Sequence, residues 1–471
     1  MMFATPRIGL MPLYLKLYDD RNPELRREFE PFIEAVTAGF RREGIEVVRA
    51  PVCRTREEFE RADANLETEM LDLLVTLHLA YSPSLESADI LADASCTVLM
   101  LDTTMDYDFG QEVLPQRLMF NHGIHGLQDL ASMLRRRGKR CHIVAGHVTE
   151  SDVVSRAANV ARAAYAANRF SDMRALRIGN SFSGMGDFAV EDETLARALG
   201  ITSDQFAIHT LAEQVAQVRP EEIDQELAAD RTRFEIDLPE DVHRRSVKVG
   251  LGLRRLLDEG EYDAFSMNFL AFDSNEGPVD TVPFLEASKA MERGVGYAGE
   301  GDVLTASLVG ALSQGFGKTT FTEMFCPDWK GNAIFISHMG EFNPACAATK
   351  PRLCEKEWPF TNAKTPAILT CAPAPGPATL VNLAPGPDDS FSLIVAPVQV
   401  LPDETGTPWR DWLRGWIRPA GCVPRFLERY SESGGTHHCA LMIGDRVEPL
   451  KAFAEFAGLE CHILQEDERA D

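Results

Sequence analysis

Two parallel-sheet α/β segments followed by a β-rich, barrel-like segment are the architecture that this 471-residue sequence predicts, on three observations. Short apolar runs alternate with helical patterns up to about residue 170, and the alternation then resumes with longer, more polar helices. Beyond about Gly315, proline and glycine divide the chain into short strands. Alternating strands and helices signal parallel sheets, because a parallel connection needs a crossover long enough to hold a helix. Closely spaced strands without helices signal a barrel or sandwich.

The first segment, residues 1–172, carries strand runs in RIGLMPLYL, IEVVRAP, LDLLVTLHLA, TVLMLDTTM and CHIVAGHVTE, separated by helices such as NPELRREFEPFIEAVTAGFRREG and SDVVSRAANVARAAYAANRF. The second, 173–316, opens at MRALRIGNSFSGMGDF and runs through LAEQVAQVRPEEIDQELAADRTRF and PEDVHRRSVKVGLGLRRLLDEG to the apolar strand AFSMNFLAF. Both read as open sheets of the Rossmann or flavodoxin kind, whose ligands sit at the carboxyl ends of the strands. The third, 317–471, contains TTFTEMF, NAIFISHMG, PAILTCAP, ATLVNLAPGP and FSLIVAPVQVLP as barrel strands. It closes with a strand, a helix and a last strand in CALMIGDRVEPLKAFAEFAGLECHILQE.

Composition narrows the function. With 72 acidic against 47 basic residues the formal charge is -25, so the surface repels nucleic acid and anionic membranes. The opening MMFATPRIGLMPLYLK lacks a basic region followed by a long apolar run, and no later stretch reaches the roughly 18 apolar residues of a spanning helix. A cytoplasmic protein that engages neither membrane nor nucleic acid is expected. The ten cysteines form no CxxC pair, which fits neither a zinc cluster nor a disulfide scaffold.

Two glycine motifs carry no nucleotide chemistry. GVGYAG, with Gly294, Gly296 and Gly299, spells a dinucleotide fingerprint but follows the helical pattern PFLEASKAMER, where a strand is required. Gly294 reads instead as a helix cap. GFGKTT lacks the first glycine of a phosphate loop, whose place is taken by Leu312.

The chemistry lies in four stretches that each present a metal-ligand type at a turn or strand end: GYAGEGD with Glu300, TFTEMF with Glu323, IFISHMGE with His338, and SGGTHHCALM with His437 and His438. Singly, each is an ordinary solvated glutamate or hydrogen-bonded histidine. Glu323 stands out because an unpaired carboxylate in a half-buried strand costs several kcal/mol, a cost that a bound cation removes.

In order and spacing these stretches resemble those of L-arabinose isomerases, which read approximately GFAGEGD, SFMED, SHMLE and GGAHH. The resemblance is specific from about Gly294 to His338 and from Gly434 to Gln465, and collinear elsewhere. It implies that Glu300, Glu323, His338 and His438 hold a divalent cation, with His437 the competing choice at the histidine pair. It further implies that Glu300 and Glu323 act as acid and base in moving hydrogen between C1 and C2 of a sugar. Mixed carboxylate and imidazole ligation suits Mn2+ best, with Co2+ or Mg2+ as alternatives. In FNHGIHGLQDLA the resemblance makes His125 a sugar-binding residue reaching a neighbouring subunit's site, in competition with a plain helix-opening role. His437 is the second substrate-binding candidate. RIGNSFSGMGDF, with Gly184, Met185, Gly186 and Asp187, resembles the turn that opens the family's second domain and reads as scaffolding. A homo-oligomer, trimer or hexamer, is implied as well.

The rim of the site departs from the family pattern. LMPLYLKLYD stands where a GSQHLYG-like turn is usual, DSNEGPVDTVP replaces an EDLHGL-like loop, and TEMFCPDWKGN replaces a TYHF-like stretch. The expected substrate is therefore an aldose or ketose that need not be L-arabinose. The competing readings are an L-fucose isomerase-type activity on a deoxyhexose or hexose, and a non-catalytic sugar-binding or regulatory protein with the same fold.

Overall fold

A computed structural model describes residues 5–404 and 408–465, and the chain separates into two compact units, 4–165 and 166–471. The outermost residues of the first and last sequence segments, 1–4 and 466–471, lie outside the described residues.

The first unit holds strands β1 (Arg7–Leu13), β2 (Glu46–Arg49), β3 (Leu73–His78), β4 (Thr97–Asp102) and β5 (Cys141–Ala145). They pair in parallel in the order β2-β1-β3-β4-β5. Every residue of β3 is buried, as a central strand covered by helices on both faces requires. Its last residue, His78, lies wholly inside, and burial pushes the imidazole down to about 3, so it stays neutral.

The second unit begins with β6 (Arg174–Ile178), β7 (Thr202–Phe206), β8 (Glu235–Asp237), β9 (Ala264–Met267) and β10 (Gly296–Gly299). Four of these form a parallel sheet in the order β10-β9-β6-β7. The glycine-rich motif falls as read from the sequence: Gly294, with φ +84°, follows the helix Phe284–Glu292 and leads into β10.

Strands β11 (Thr319–Asp328), β12 (Ala333–Ser337), β13 (Arg352–Glu355), β14 (Ala367–Thr370), β15 (Gly376–Pro385), β16 (Phe391–Val400), β17 (Gly415–Pro419), β18 (His438–Ile443) and β19 (Glu460–Ile463) follow. Six of them run antiparallel in the order β15-β18-β11-β12-β17-β16. Pairing of β15 with β16 closes the barrel, and β19 adds to β16 in parallel. One face of these strands supplies Ile334, Ile336, Leu380, Ile394, Ile417 and Leu441 to a shared apolar core. Period-two alternation therefore turns Glu323, Ser337 and His438 to the other face.

One strand assignment needs correction. The run PAILTCAP supplies β14, which leaves the barrel and forms a separate sheet, β14-β13-β8, with β8 contributed by the middle of the chain. The reason is packing: Leu353, Leu369 and the half-buried Ile236 share an apolar cluster with Ile223, Leu227, Val247 and Leu285 of neighbouring helices. Strand periodicity sets an apolar face but not the layer that covers it. Among the described residues, no helix is long and apolar enough to cross a membrane.

A buried ion network holds the helices of this unit together. The Lys289 ammonium, 2% exposed, lies 2.7 Å from Glu226 and 2.6 Å from Asp230, and Arg254 bridges Glu226 and Glu286. Burial opposes ionisation of Glu226, but Arg254 and Lys289 outweigh it and push the carboxyl down from 4.5 to about 2. A folded pKa below the unfolded value contributes stability above about pH 4.5 that is lost as pH falls towards 2. The shift corresponds to on the order of 3 kcal/mol. Glu226→Gln is accordingly expected to flatten the dependence of the urea-unfolding midpoint on pH across that window; an unchanged slope would remove Glu226 as its source.

Candidate metal centre

The site is built where the parallel sheet of the second unit meets the outer face of the barrel. Strand β10 ends at Gly299, and the next residue, Glu300, adopts φ +65°, a left-handed conformation that costs a non-glycine residue about 1–2 kcal/mol. Two hydrogen bonds hold it there: Glu300 N–H donates to the Met267 carbonyl at 2.8 Å, and its own carbonyl accepts from Phe182 N–H at 2.8 Å. Gly299 leaves room for an approaching ring, because a Cβ there would stand 2.7 Å from His338 Cε1. The strained turn at the carboxyl end of a parallel strand thus aims a carboxylate at an imidazole.

The barrel supplies the remaining groups. Glu323 on β11 lies directly opposite His438, the first residue of β18, and opposite Ser337, the last of β12, with His338 following. Ligand atoms of Glu323, His338 and His438 lie within 4.8 Å of one another, as do those of Glu300, His437 and His438. Glu300 Oε2 stands 3.6 Å from Nε2 of both His437 and His438. Phe321 meets the rings of His338 and His438 edge-on, at centroid distances of 4.7 and 4.9 Å, and Phe188 stacks on His438 at 5.0 Å.

Each buried histidine is oriented by a carboxylate. His338 Nδ1 is 2.9 Å from Glu341 Oε2, while Tyr297 O–H donates to Glu341 Oε1 at 2.7 Å. His438 Nδ1 is 2.9 Å from Asp302 Oδ2, and the other oxygen of Asp302 caps the helix Val303–Phe316 by accepting from Thr305 N–H at 2.8 Å. A proton held at Nδ1 by its carboxylate leaves the Nε2 lone pair outward. Among the described residues, His338 Nε2, His438 Nε2 and Glu300 Oε2 are buried without a hydrogen-bond partner. Three convergent orphaned acceptors are costly in a folded protein, and a divalent cation satisfies all of them together. The donor set therefore fits a metal ion.

The two glutamates are pushed apart in acidity. Burial raises Glu300, but His437 at 3.6 Å and the neighbouring imidazoles of His338 and His438, whenever they carry a proton, outweigh it and hold the carboxyl below its usual value. At Glu323 burial prevails over the same histidines, aided by repulsion from Glu300, and the carboxyl rises. Burial also works against protonation of His338, yet Glu341 reverses the balance and raises it.

His437 is held differently from its neighbour. Its backbone N–H and Nδ1 both meet Asp187 Oδ2, at 2.9 and 2.7 Å, and its side chain is 30% exposed where that of His438 is 0%. Burial lowers its basicity, but the nearby Glu300 carboxylate and the hydrogen-bonded Asp187 outweigh this and raise the imidazole to about 9. His125 belongs to the first unit, exposed in the opening turn of the helix Ile124–Arg136, its ring 5.9 Å from that of His122.

The structure thus gathers Glu300, Glu323, His338, His437 and His438. Sequence reasoning missed the orienting carboxylates Asp302 and Glu341, although both stand inside the stretches GYAGEGD and SHMGE, and named Asp187 only as part of a scaffolding turn. The available signals were an aspartate immediately before a helix and a glutamate three residues after a histidine. Asp302→Asn is expected to weaken Mn2+ binding about 10- to 100-fold, read by calorimetric titration. An unaltered affinity would reduce Asp302 to a helix cap.

Comparison with known proteins identifies the family. A model of the L-arabinose isomerase central domain matches residues 178–315, and one of the L-arabinose isomerase C-terminal domain matches residues 318–460. The L-arabinose isomerase of Nocardioides sp. is 26% identical over 439 residues, covering 90% of this chain and 86% of that protein. That of Geobacillus kaustophilus is 26% identical over 437 residues, covering 88% and 85%. That of Herpetosiphon aurantiacus is 26% identical over 460 residues, covering 93% and 90%. With two consecutive domain models and full-length relatives in agreement, the chain is a divergent member of the L-arabinose isomerase family, a family of aldose–ketose isomerases.

Proposed function

We propose that this chain is a cytoplasmic, metal-dependent aldose–ketose isomerase in which Glu300, Glu323, His338 and His438 hold a divalent cation and the two glutamates carry the proton between C1 and C2. The observation that carries the reading is the convergence of buried, partnerless acceptor atoms on His338, His438 and Glu300. Manganese(II) suits the mixed set best, with Co2+ or Mg2+ as alternatives, and when bound it would polarise the sugar carbonyl and favour the enediolate.

The protein's own groups supply the proton chemistry. Isomerisation requires one group that removes a carbon-bound proton and another that serves the carbonyl oxygen, with the roles exchanged in reverse. Glu300 and Glu323, converging on the same imidazoles from β10 and β11, are the two groups that share these roles. His437, fixed by Asp187 at the edge of the site, binds a substrate oxygen. Exclusion of water follows from the rings of Phe188 and Phe321 against the histidines.

The division into segments 1–172, 173–316 and 317–471 rests on the strand and helix pattern of the sequence, while two further parts of the proposal, the homo-oligomer of three or six copies and a sugar-binding role for His125, rest on the family resemblance. The substrate is an aldose or ketose outside a strict L-arabinose preference, because the stretches at the rim differ. Incubation of the Mn2+-loaded protein in D2O with aldopentoses, deoxyhexoses and hexoses is expected to give ketose product with deuterium at the carbon receiving the proton. Sugar binding without product or exchange across the panel would overturn catalysis in favour of a binding protein.

A further inference from the structure

An aromatic surface continues from the candidate metal centre along the outer face of the barrel. On β11, Phe325 comes two residues after Glu323, about 7 Å along the strand. There β11 shifts its register against β12 between Met324 and Cys326. The Phe325 ring meets Phe335 of β12 at 6.3 Å, Phe335 meets Trp409 and Trp416 at 4.9 and 5.0 Å, and Trp409 meets Trp412 at 5.8 Å. Phe325, Trp409 and Trp412 remain 38%, 37% and 46% exposed. Rings of this size that find neighbours yet keep one side in water form a platform.

The platform is tied to the turn that carries His338. Ser337, immediately before it, donates its hydroxyl to the Leu413 carbonyl at 2.6 Å. Lys356 donates to the Met339 carbonyl, immediately after it, at 2.8 Å, and its ammonium stands over the Trp412 ring at 5.6 Å. Trp412 N–H closes a turn on the Trp409 carbonyl at 3.0 Å. Two anchors on either side of one candidate ligand fix the tryptophans relative to the reacting carbons.

We infer that this aromatic surface holds the closed, non-reacting ring of a reducing disaccharide whose reducing residue occupies the glutamate and histidine centre. The inference rests on the proposed isomerase reading and names its substrate class. An aldose opens its ring to react, so it has no ring face left for tryptophan; a glycosyl-aldose opens only its reducing residue and keeps a second ring intact. The apolar C–H face of that ring is what an exposed aromatic side chain covers in water, while its hydroxyls stay solvated at the edges. The Arg352–Asp411 ion pair beside the tryptophans provides polar partners at that edge. Hydrogen moves between C1 and C2 of the reducing residue, the glycosidic bond stays intact, and no co-reactant is consumed.

The test uses the full chain with Mn2+, following binding by isothermal titration calorimetry with lactose, cellobiose and maltose and with D-glucose and D-galactose. At least one disaccharide is expected to bind ten-fold or more tightly than both monosaccharides. The double substitution Trp409→Ala with Trp412→Ala should bring that ratio close to one, and the corresponding phenylalanine pair should restore most of it. Equal affinities throughout, or an unchanged ratio in the alanine pair, would overturn the inference. So would a fall in sedimentation coefficient for the alanine pair, which would make the surface a contact between copies of the chain. Tighter disaccharide binding without ketose from any sugar would uphold the platform and reject the isomerase reading.

Discussion

Glu323→Gln is expected to abolish aldose–ketose interconversion, lowering kcat by roughly 10^2- to 10^4-fold at saturating Mn2+, the usual worth of a positioned proton carrier. Glutamine preserves the volume and polarity of the side chain on β11, where it faces Ser337 and His438, so the barrel should remain folded. What it removes is a titrating oxygen whose affinity for protons the site has raised by burial and by the nearby charge of Glu300. Sugar affinity should change far less than turnover, because a neutral amide still hydrogen-bonds a hydroxyl. Deuterium uptake from D2O into the substrate should fall in step with product formation. Measured at saturating metal, a loss below ten-fold would leave Glu323 as a ligand at most and place the proton transfer elsewhere.

What the sequence could disclose follows from which interactions are local. The strand–helix alternation of the first unit and the short strands beyond Gly315 are local patterns, and the parallel sheet and the closed barrel follow them. The register that sets Glu323 opposite His438 is also anticipated by period-two alternation, since both must avoid the apolar core filled by Ile336 and Leu441. The pairing of β8 with β13 is not, because Ile236 and Leu353 are brought together by helices that cover both. The same holds within the site. Asp187 reaches His437 across 250 residues of sequence, and Asp302 reaches His438 across 136. Neither partnership leaves a spacing to read. The left-handed backbone of Glu300 is equally hidden, since nothing in a glutamate announces φ +65°; only the glycine after it, at φ +86°, hints at a tight turn.

Which histidine of the pair serves the cation decides how the rest of the site is divided, and paired substitutions separate the two. His438→Ala is expected to eliminate metal-dependent stabilisation, whereas His437→Ala is expected to keep it while impairing substrate binding. His438 is fully buried, turns Nδ1 to Asp302, and leaves Nε2 without a partner across from Glu323. His437 is half-buried with Nδ1 held by Asp187, and its Nε2 stands 3.6 Å from Glu300 Oε2, the same separation as that of His438, so partial exposure and the Asp187 contact are what set it apart. A ligand present at a hundredfold excess over its dissociation constant stabilises the folded state by about 2.7 kcal/mol. The unfolding midpoint with and without Mn2+ therefore gives the increment for each protein directly. Comparing increments, and not absolute midpoints, cancels the destabilisation that His438→Ala causes by stripping buried Asp302 of its partner. Should the increment survive in His438→Ala and vanish in His437→Ala, the cation belongs with Glu300 and His437. Asp187 would then orient a metal ligand, and Asp302 would revert to capping its helix.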